Sequence, residues 1–165
     1  MGRTRSLTLC VALILSLVAV AATACAERRA VSPTVKVAFN KKLKKSILVD
    51  GRGFSLYLFT ADSQGTNTYK PTCYDDATYH CSKAWLPLRI TGVPHAGPGV
   101  KASLLGVVKR TDGAAQVTYN GHPLYTDEGP NTFGLTADKK PGDVNGQGFV
   151  GIWYVLSSKG EQITH

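Results

Sequence analysis

Apolar residues occur along most of the chain in short runs, and Gly-containing turns separate these runs. The run Phe54–Phe59 is apolar on both faces, which is typical of an interior strand. Asp50 and Gly51 precede it, and this dipeptide readily adopts the positive φ angles of a hairpin turn. The whole pattern predicts strands at Ile47–Val49, Phe54–Phe59, Gly106–Arg110, Ala115–Tyr119, Leu124–Thr126 and Phe149–Leu156, loops over 91–100 and 128–148, and a short helix near Ala102–Leu105.

Tyrosine and tryptophan recur at a fixed spacing, which indicates an internal repeat. Tyr57 precedes Trp85 by 28 positions, and Tyr125 precedes Trp153 by the same 28. A unit of roughly 40 to 50 residues is too small to bury its own apolar face. We therefore predict an all-β fold, possibly with one short helix, in which duplicated antiparallel β-meander units at about 47–90 and 106–157 pack as one small domain.

The N-terminus has the pattern of a secretory signal peptide. Arg3 and Arg5 precede a stretch over 7–22 that is apolar except for two residues, and small residues follow. The apolar stretch is shorter than the roughly 20 residues of a membrane-spanning helix. Residues 1–24 are therefore predicted to be a signal peptide.

The end of this signal resembles a bacterial lipobox, Ala22-Thr23-Ala24-Cys25. Cleavage before Cys25 would leave that cysteine to be acylated, and two or more acyl chains anchor a protein stably. Ala22 stands where the lipobox prefers Leu, so simple cleavage and release of a secreted protein is the alternative. We expect a cell-envelope protein anchored by lipid on the outer face of the membrane, with a basic tether over 25–45 and a β-rich domain over 46–165.

The remaining cysteines, Cys73 and Cys81, suit a disulfide because the domain is exported. A metal site that adds His80 is the alternative, but the cysteines are spaced widely for a zinc knuckle. Tyr74 and Tyr79 lie in the closed loop, and tyrosine offers a large contact area at low entropic cost. The loop is therefore a predicted binding edge.

The net charge of +8 is concentrated near the N-terminus. Lys36, Lys41, Lys42, Lys44 and Lys45 fall within ten residues, whereas the chain from Ser46 onward carries ten basic and ten acidic residues. The cluster lacks the aromatic or Arg-rich interleaving of a nucleic-acid interface, so no nucleic acid is predicted as a partner. It suits either attraction to anionic lipid or an edge strand with Val35, Val37 and Phe39 followed by a solvated lysine turn.

Several segments resemble a known family in the correct order. Residues 57–62 (YLFTAD) fit a Y-x-(F/W/Y)-x-x-D motif, and 81–88, 112–125 and 141–153 resemble later family segments. The chain over about 47–156 is thus similar to bacterial secreted-repeat lipoproteins of unknown function, which implies a repeated exported domain and no known activity. In the second repeat Asp127 stands at the aromatic position, and the counterpart of Asp62 is Asp138.

Other residue patterns suggest chemistry less specifically. Asp62 and Asp138 could be the paired carboxylates of a hydrolase, although an Asp at a strand end more often caps a turn. Asp143, Asn145 and Gln147 alternate like calcium ligands but lack the bidentate Glu, which favours a plain Gly-rich turn. Histidines at 80, 95 and 122 could ligate a metal or haem, but no second His lies at ligand spacing. No catalytic residue, metal or cofactor is predicted.

We therefore expect a non-enzymatic binding or structural module of the cell envelope, with a metal- or haem-binding redox protein and an Asp62/Asp138 hydrolase as alternatives. Its partner would be an unidentified protein or small molecule, held by the Cys73–Cys81 loop and the Gly-rich loop that ends at Gly148. The candidate binding residues are Tyr57, Asp62, Tyr74, Tyr79, Trp85, His122, Tyr125, Asp143 and Trp153.

Overall fold

The computed structural model describes residues 34–65, 68–76, 80–130 and 133–164. The predicted signal peptide, Cys25 and Tyr79 lie outside these ranges. None of the helices in the described ranges is long and apolar enough to cross a membrane.

Short strands make up most of the regular structure. The only α-helix in the described ranges, α1, is the single turn Cys81–Ala84, and 3₁₀ turns occupy Ala102–Leu104 and Phe149–Gly151. The strands are β1 Thr34–Asn40, β2 Lys45–Asp50, β3 Tyr57–Phe59, β4 Ser63–Gln64, β5 Tyr69–Lys70, β6 Leu86–Pro87, β7 Arg89–Ile90, β8 His95–Ala96, β9 Leu105–Lys109, β10 Ala115–Tyr119, β11 His122–Pro123, β12 Tyr125–Thr126 and β13 Trp153–Val155.

The predicted all-β class with one short helix is confirmed, and the strands predicted over 54–59, 124–126 and 149–156 are shorter than expected. Only Trp153–Val155 of the predicted strand 149–156 is extended, because Gly148 and Gly151 adopt φ values of 72° and 75° and hold a 3₁₀ turn between them. Likewise the strand predicted over 54–59 begins at Tyr57, and Ser55 contributes an isolated bridge to Val49. The sequence pattern did not predict α1.

The lysine-rich segment forms the first hairpin. β1 pairs antiparallel with β2 over six residue pairs, and Val35 is fully buried. β1 lies between β2 and the short β8, so the prediction that it is an edge strand is wrong. Residues 34–45, which the sequence pattern predicts to be part of a tether, therefore belong to the folded domain. The turn at 41–44 exposes its lysines, as expected.

The central sheet interleaves the two repeats. Its order is β13-β3-β12-β6, and Tyr57 of β3 pairs directly with Tyr125 of β12. β3 and β6 come from the first repeat, and β12 and β13 come from the second. β3, which contains Tyr57, pairs with β13, which contains Trp153 of the other repeat. In the same way β12, which contains Tyr125, pairs with β6, which directly follows Trp85. This order has approximate two-fold symmetry, and neither repeat contains all four strands of the central sheet.

The two faces of this sheet carry two cores. Tyr57, Tyr125 and Trp153 belong to one buried cluster. Leu56, Leu58 and Leu124 belong to the other, which also packs on the sheet formed by β7, β9, β10 and β11. The expectation of an interior strand that is buried on both faces is therefore confirmed for β3, Tyr57–Phe59, and not for all of residues 54–59.

Stacked indole rings connect the repeats on the first of these faces. Trp85 and Trp153 stack at a centroid distance of 3.9 Å and an interplanar angle of 2°. Tyr57 contacts Trp85 edge-on at 5.3 Å, and Tyr125 contacts Trp153 edge-on at 5.2 Å. Phe59 stacks on Trp153 at 4.3 Å and extends the column to three parallel rings.

Buried tyrosine–aspartate hydrogen bonds cross between the repeats. Tyr57 donates its hydroxyl hydrogen to Asp138 (2.8 Å), and Tyr125 donates to Asp62 (3.2 Å). Each carboxylate also accepts a backbone N–H that closes its own loop, from Asn145 and Thr72 respectively. The tyrosine of each repeat is therefore bonded to the aspartate of the other.

Removal of a single cross-repeat hydrogen bond tests this interlock. We expect Tyr57→Phe and Tyr125→Phe each to lower the free energy of unfolding by about 1 to 3 kcal/mol, because a buried carboxylate loses a donor. Tyr154→Phe is the matched control, since the Tyr154 hydroxyl lies at the surface and donates only to the Gly151 carbonyl. Urea unfolding measures all three, and equal losses for Tyr57→Phe and Tyr154→Phe would contradict the interlock.

Candidate functional site

An apolar cleft of about 600 Å³ opens beside the stacked rings. A concave, mainly apolar pocket of this size is the usual form of a small-molecule site. Most of the cleft lining is aromatic or aliphatic. The lining residues are Phe59, Ala61, Thr72, Tyr74, Asp76, Cys81, Trp85, Phe133, Phe149, Val150, Ile152 and Trp153.

Three parts of the fold meet at this cleft. The central sheet and α1 place Phe59, Trp85 and Trp153 along one side, which we call the ring stack. The described residues at the disulfide loop, Thr72, Tyr74, Asp76 and Cys81, supply one wall, and the 3₁₀ turn Phe149–Gly151 with Ile152 supplies the other. The structure thus brings the cysteine loop and the turn that follows the Gly-rich loop to one cavity.

The disulfide wall is held by a buried arginine that the sequence analysis did not single out. The predicted Cys73–Cys81 bond is present, with the Cα atoms 5.3 Å apart. The Arg110 guanidinium donates to the Cys73 carbonyl (2.7 Å) and to Gln116 Oε1 (2.6 Å). It also stacks on the Tyr74 ring at 4.3 Å, while the Tyr74 hydroxyl accepts the backbone N–H of Thr111. These contacts fix Tyr74 at the cleft.

The opposite wall contains a strained residue. Val150 has φ 44° and ψ 22°, a left-handed conformation that is costly for a β-branched side chain. Its side chain is nevertheless 67% exposed, so core packing does not explain the strain. Strain of this kind concentrates at ligand sites and switch segments.

The turn that carries Val150 has a counterpart in the first repeat. α1 begins four residues before Trp85, and the 3₁₀ turn begins four residues before Trp153. Gly151 stands at the position equivalent to Lys83, and Gly148 at the position equivalent to His80. The glycines let this copy of the turn depart from a regular helix and direct Val150 toward the cleft.

Close packing also requires glycine at residue 146. A Cβ atom there would collide with the six-membered ring of Trp85, at Cη2 and Cζ3. The Gly-rich loop therefore lies directly against the ring stack. This contact connects the loop predicted over 128–148 to the wall of the cleft.

Three carboxyl groups are buried near the ring stack. Burial raises the pKa of Asp62 to about 6. Burial, together with the negative charge of Asp138, raises the pKa of Asp127 to about 7. The pKa of Asp138 is raised as well, chiefly by burial. Asp62 Oδ2, Asp127 Oδ2 and Trp85 Nε1 have no hydrogen-bond partner within the described part of the chain.

Asp127 occupies the position where the motif of the first repeat has Phe59. Tyr57 is followed two residues later by Phe59, whereas Tyr125 is followed two residues later by Asp127. Phe59 stacks on Trp153, while Asp127 lies buried with an unsatisfied oxygen. The departure from the motif was visible in the sequence, and it identifies the least satisfied carboxylate of this cluster.

The structure places the predicted binding residues at different distances from the cleft. Tyr74, Trp85 and Trp153 line it. Tyr57, Asp62 and Tyr125 are buried in the hydrogen-bond network and do not line it. His122 stacks on Tyr69 at 4.2 Å, outside the lining, and burial lowers its pKa.

Asp143 also lies outside the cleft lining, in the predicted calcium-like loop. Its carboxylate accepts the backbone N–H groups of Lys139 and Lys140, and Gln147 Oε1 accepts the N–H of Val155. These oxygens therefore hold the loop together, as expected for a plain Gly-rich turn.

The structure offers little geometry for the metal alternative. His80 Nδ1 lies 2.6 Å from the Asp75 carboxylate and is exposed. Across residues 34–65, 68–76, 80–130 and 133–164, no group of three His, Cys, Asp or Glu side chains could hold a metal ion.

The raised pKa values of Asp62, Asp127 and Asp138 predict that these three groups favour the folded state in mild acid. A carboxyl whose folded pKa is raised contributes stability below its unfolded pKa and loses it as pH rises through the folded value. For Asp127 this window runs from its ordinary value of 3.8 to about 7. We expect Asp127→Asn to gain roughly 1 to 3 kcal/mol relative to the parent at about pH 8, and much less at about pH 5.

Urea unfolding of parent and variant at both pH values measures this difference. His122 has a lowered pKa, which destabilises the folded state in acid. This contribution is the same in parent and variant, so it cancels when their free energies of unfolding are compared. Glu161→Gln removes one exposed carboxylate and is the control. A gain for Asp127→Asn that is larger at about pH 5 than at about pH 8 would contradict the assignment.

Comparison with known proteins identifies one part of the chain. Residues 106–157 match the model of a lipoprotein family that is described as a secreted repeat of unknown function. No curated protein and no solved structure matches the chain significantly. The match has the same bounds as the second predicted repeat, and its description supports export. The predicted resemblance to secreted-repeat lipoproteins is therefore confirmed, over residues 106–157.

Proposed function

We propose that this protein is an exported, lipid-anchored protein of the cell envelope that binds a small, neutral ligand with a flat apolar ring. The ligand occupies the cleft between the disulfide loop and the turn Phe149–Gly151. The single observation that carries this proposal is the cleft, because it combines an aromatic lining with two structured walls.

The lining favours an aromatic ligand over a charged one. Parallel rings at 3.9 and 4.3 Å already form a stack along one side, and aromatic groups pack well against such surfaces. The polar side chains of the lining are few, namely Thr72, Tyr74 and Asp76. A pocket of this composition orients a ligand with a few polar contacts and gains most of its affinity from apolar burial.

The walls favour tight binding because they are ordered before a ligand arrives. The disulfide and Arg110 hold one wall. Backbone hydrogen bonds from Gly148 N to Trp153 O and from Gly151 N to Gly148 O hold the other. Preorganisation reduces the entropic cost of binding.

Binding rather than hydrolysis is proposed because the carboxylates have other partners. Asp62 and Asp138 each accept hydrogen bonds from a tyrosine of the other repeat and from a backbone N–H. Neither residue is part of the cleft lining. These contacts suit a structural role better than a role as a general acid or nucleophile.

The lipid anchor is proposed from the N-terminal sequence. A charged start, an apolar stretch and the sequence Ala22-Thr23-Ala24-Cys25 suit export followed by acylation. The lipoprotein family matched by residues 106–157 supports the same location.

Val150→Asn provides a sharp test of the cleft. Asparagine tolerates the left-handed backbone better than valine, so this variant keeps or raises the unfolding midpoint while it places a polar group at the cleft. We expect its affinity for N-phenyl-1-naphthylamine, a neutral aromatic probe, to fall about fivefold or more because apolar contact is lost. Titration of the quenching of intrinsic fluorescence measures this, since both tryptophans of the chain line the cleft.

Val93→Asn is the matched control for this titration. Val93 is 74% exposed and is not part of the cleft lining. Absence of saturable binding by the parent protein, or equal losses in the two variants, would refute the proposed ligand site.

The anchor has its own test in the native host. We expect Cys25→Ser to move the protein from the detergent phase to the aqueous phase in detergent phase separation, because the acylated residue is lost. Cys10→Ser is the control, since Cys10 lies within the predicted signal peptide. A Cys25→Ser protein that stays in the detergent phase would show that Cys25 is not the anchor.

A further inference from the structure

We infer that the tip of the first hairpin, residues 39–45, is a docking surface for an anionic lipid bilayer. In this arrangement the lysines of the tip contact lipid phosphates, and the Phe39 ring enters the boundary between headgroups and acyl chains.

The charge of the hairpin tip is not neutralised by the protein. Lys41, Lys42, Lys44 and Lys45 are all exposed. Among the described residues, none of these lysines forms an ion pair with an acidic group. The rest of the domain from Ser46 onward has equal numbers of basic and acidic residues. The tip is therefore a local positive surface on an otherwise neutral domain.

The same tip exposes a large apolar side chain. Phe39 is 65% exposed, although Val35, on the same face of β1, is completely buried. This strand face thus leaves the core as it approaches the turn. An exposed aromatic ring beside lysines is the combination that binds membrane interfaces, since the ring partitions into the bilayer while the lysines pair with anionic lipids.

Local hydrogen bonds fix the shape of the tip. Asn40 accepts the backbone N–H of Leu43 (3.0 Å) and donates to the carbonyl of Gly142 (2.9 Å). Leu43 packs against the buried core. The tip is therefore preorganised, which reduces the ordering cost of docking.

The contact with Gly142 also adds positive charge next to the tip. Lys140 and Lys139 lie two and three residues before Gly142, and both are exposed. Two acidic residues flank these lysines: the side chain of Asp138 is buried, and the carboxylate of Asp143 accepts backbone N–H groups. The positive surface thus extends from the hairpin to the neighbouring loop.

Chain length allows the tip and the proposed anchor to contact one membrane. Eight residues lie between Cys25 and Thr34, and the nine Cα-to-Cα steps that separate the two can span at most about 30 Å. β1 rises about 20 Å from Thr34 to Asn40. This step rests on the proposed anchor, whereas the charge and exposure of the tip do not.

The experiment uses the Cys25→Ser chain, so that acylation cannot contribute. Its binding is measured by co-sedimentation with vesicles of phosphatidylcholine alone and with vesicles that also contain phosphatidylglycerol. We expect the protein to bind only the vesicles that contain phosphatidylglycerol, and we expect this binding to weaken as salt is added.

Variants in the same background separate charge from insertion. Lys41→Gln with Lys42→Gln is expected to lower the partition coefficient about 25-fold, at about fivefold for each charge. Lys109→Gln with Lys159→Gln removes two exposed lysines elsewhere and should change it less than about twofold. Phe39→Ser is expected to lower the partition coefficient about fivefold or more, and Val93→Ser is its matched control.

Four results would each overturn the inference: no binding to anionic vesicles, equal binding to both kinds of vesicle, equal effects of the two double lysine variants, or equal effects of Phe39→Ser and Val93→Ser. Because neither acylation nor a cleft ligand takes part in this assay, its failure is distinguishable from failure of the anchor or of the cleft.

Discussion

The stack of Trp85 on Trp153 is the contact on which the rest of the structure depends. Both indoles are almost completely buried, and they come from different repeats, so neither finds its partner ring until both repeats are in place. The strands that carry Tyr57 and Tyr125 pair beside this stack, and each tyrosine contacts the indole of its own repeat edge-on. A Cβ atom at residue 146 would collide with the Trp85 ring, so only glycine fits there and the second repeat's long loop lies directly against this ring. The two predicted repeats therefore share one core and one central sheet.

Interlocking makes the buried carboxylates necessary and also costly. Asp62 and Asp138 each accept a backbone N–H from their own repeat and a hydroxyl hydrogen from the tyrosine of the other repeat. These hydrogen bonds hold the loop of one repeat against the strand of the other. Burial nevertheless raises the pKa of each carboxyl, and the charged forms are destabilised in the folded state. Asp127 is also buried, its pKa is raised to about 7, and its Oδ2, like that of Asp62, has no hydrogen-bond partner among the described residues. This carboxylate is thus a local weakness of the domain near neutral pH.

The sequence predicted those features that depend on local or periodic signals. The shared 28-residue spacing predicted that Tyr57 and Trp85 correspond to Tyr125 and Trp153. The apolar pattern at 54–59 predicted a strand that is buried on both faces. The sequence could not predict that strands of one repeat pair with strands of the other. The pairing of β3 with β13 and of β12 with β6 depends on contacts between residues that are distant in sequence. Arg110 also escaped prediction, since its role is to bond the carbonyl of Cys73, 37 residues away. The strain at Val150 left no signal beyond the two glycines that flank it.

The proposed binding site lies where the two copies differ most. Equivalent turns precede Trp85 and Trp153, but the first is a regular helical turn tied to the disulfide, and the second is distorted and directs Val150 toward the cleft. Likewise the aromatic position of the motif is Phe59 in the first copy, where it lines the cleft, and the buried Asp127 in the second. A symmetric pair would present the same surface on both sides of the ring stack. Divergence of the copies instead leaves an open aromatic surface on one side, because the symmetric contacts already stabilise the fold and the loops are free to change.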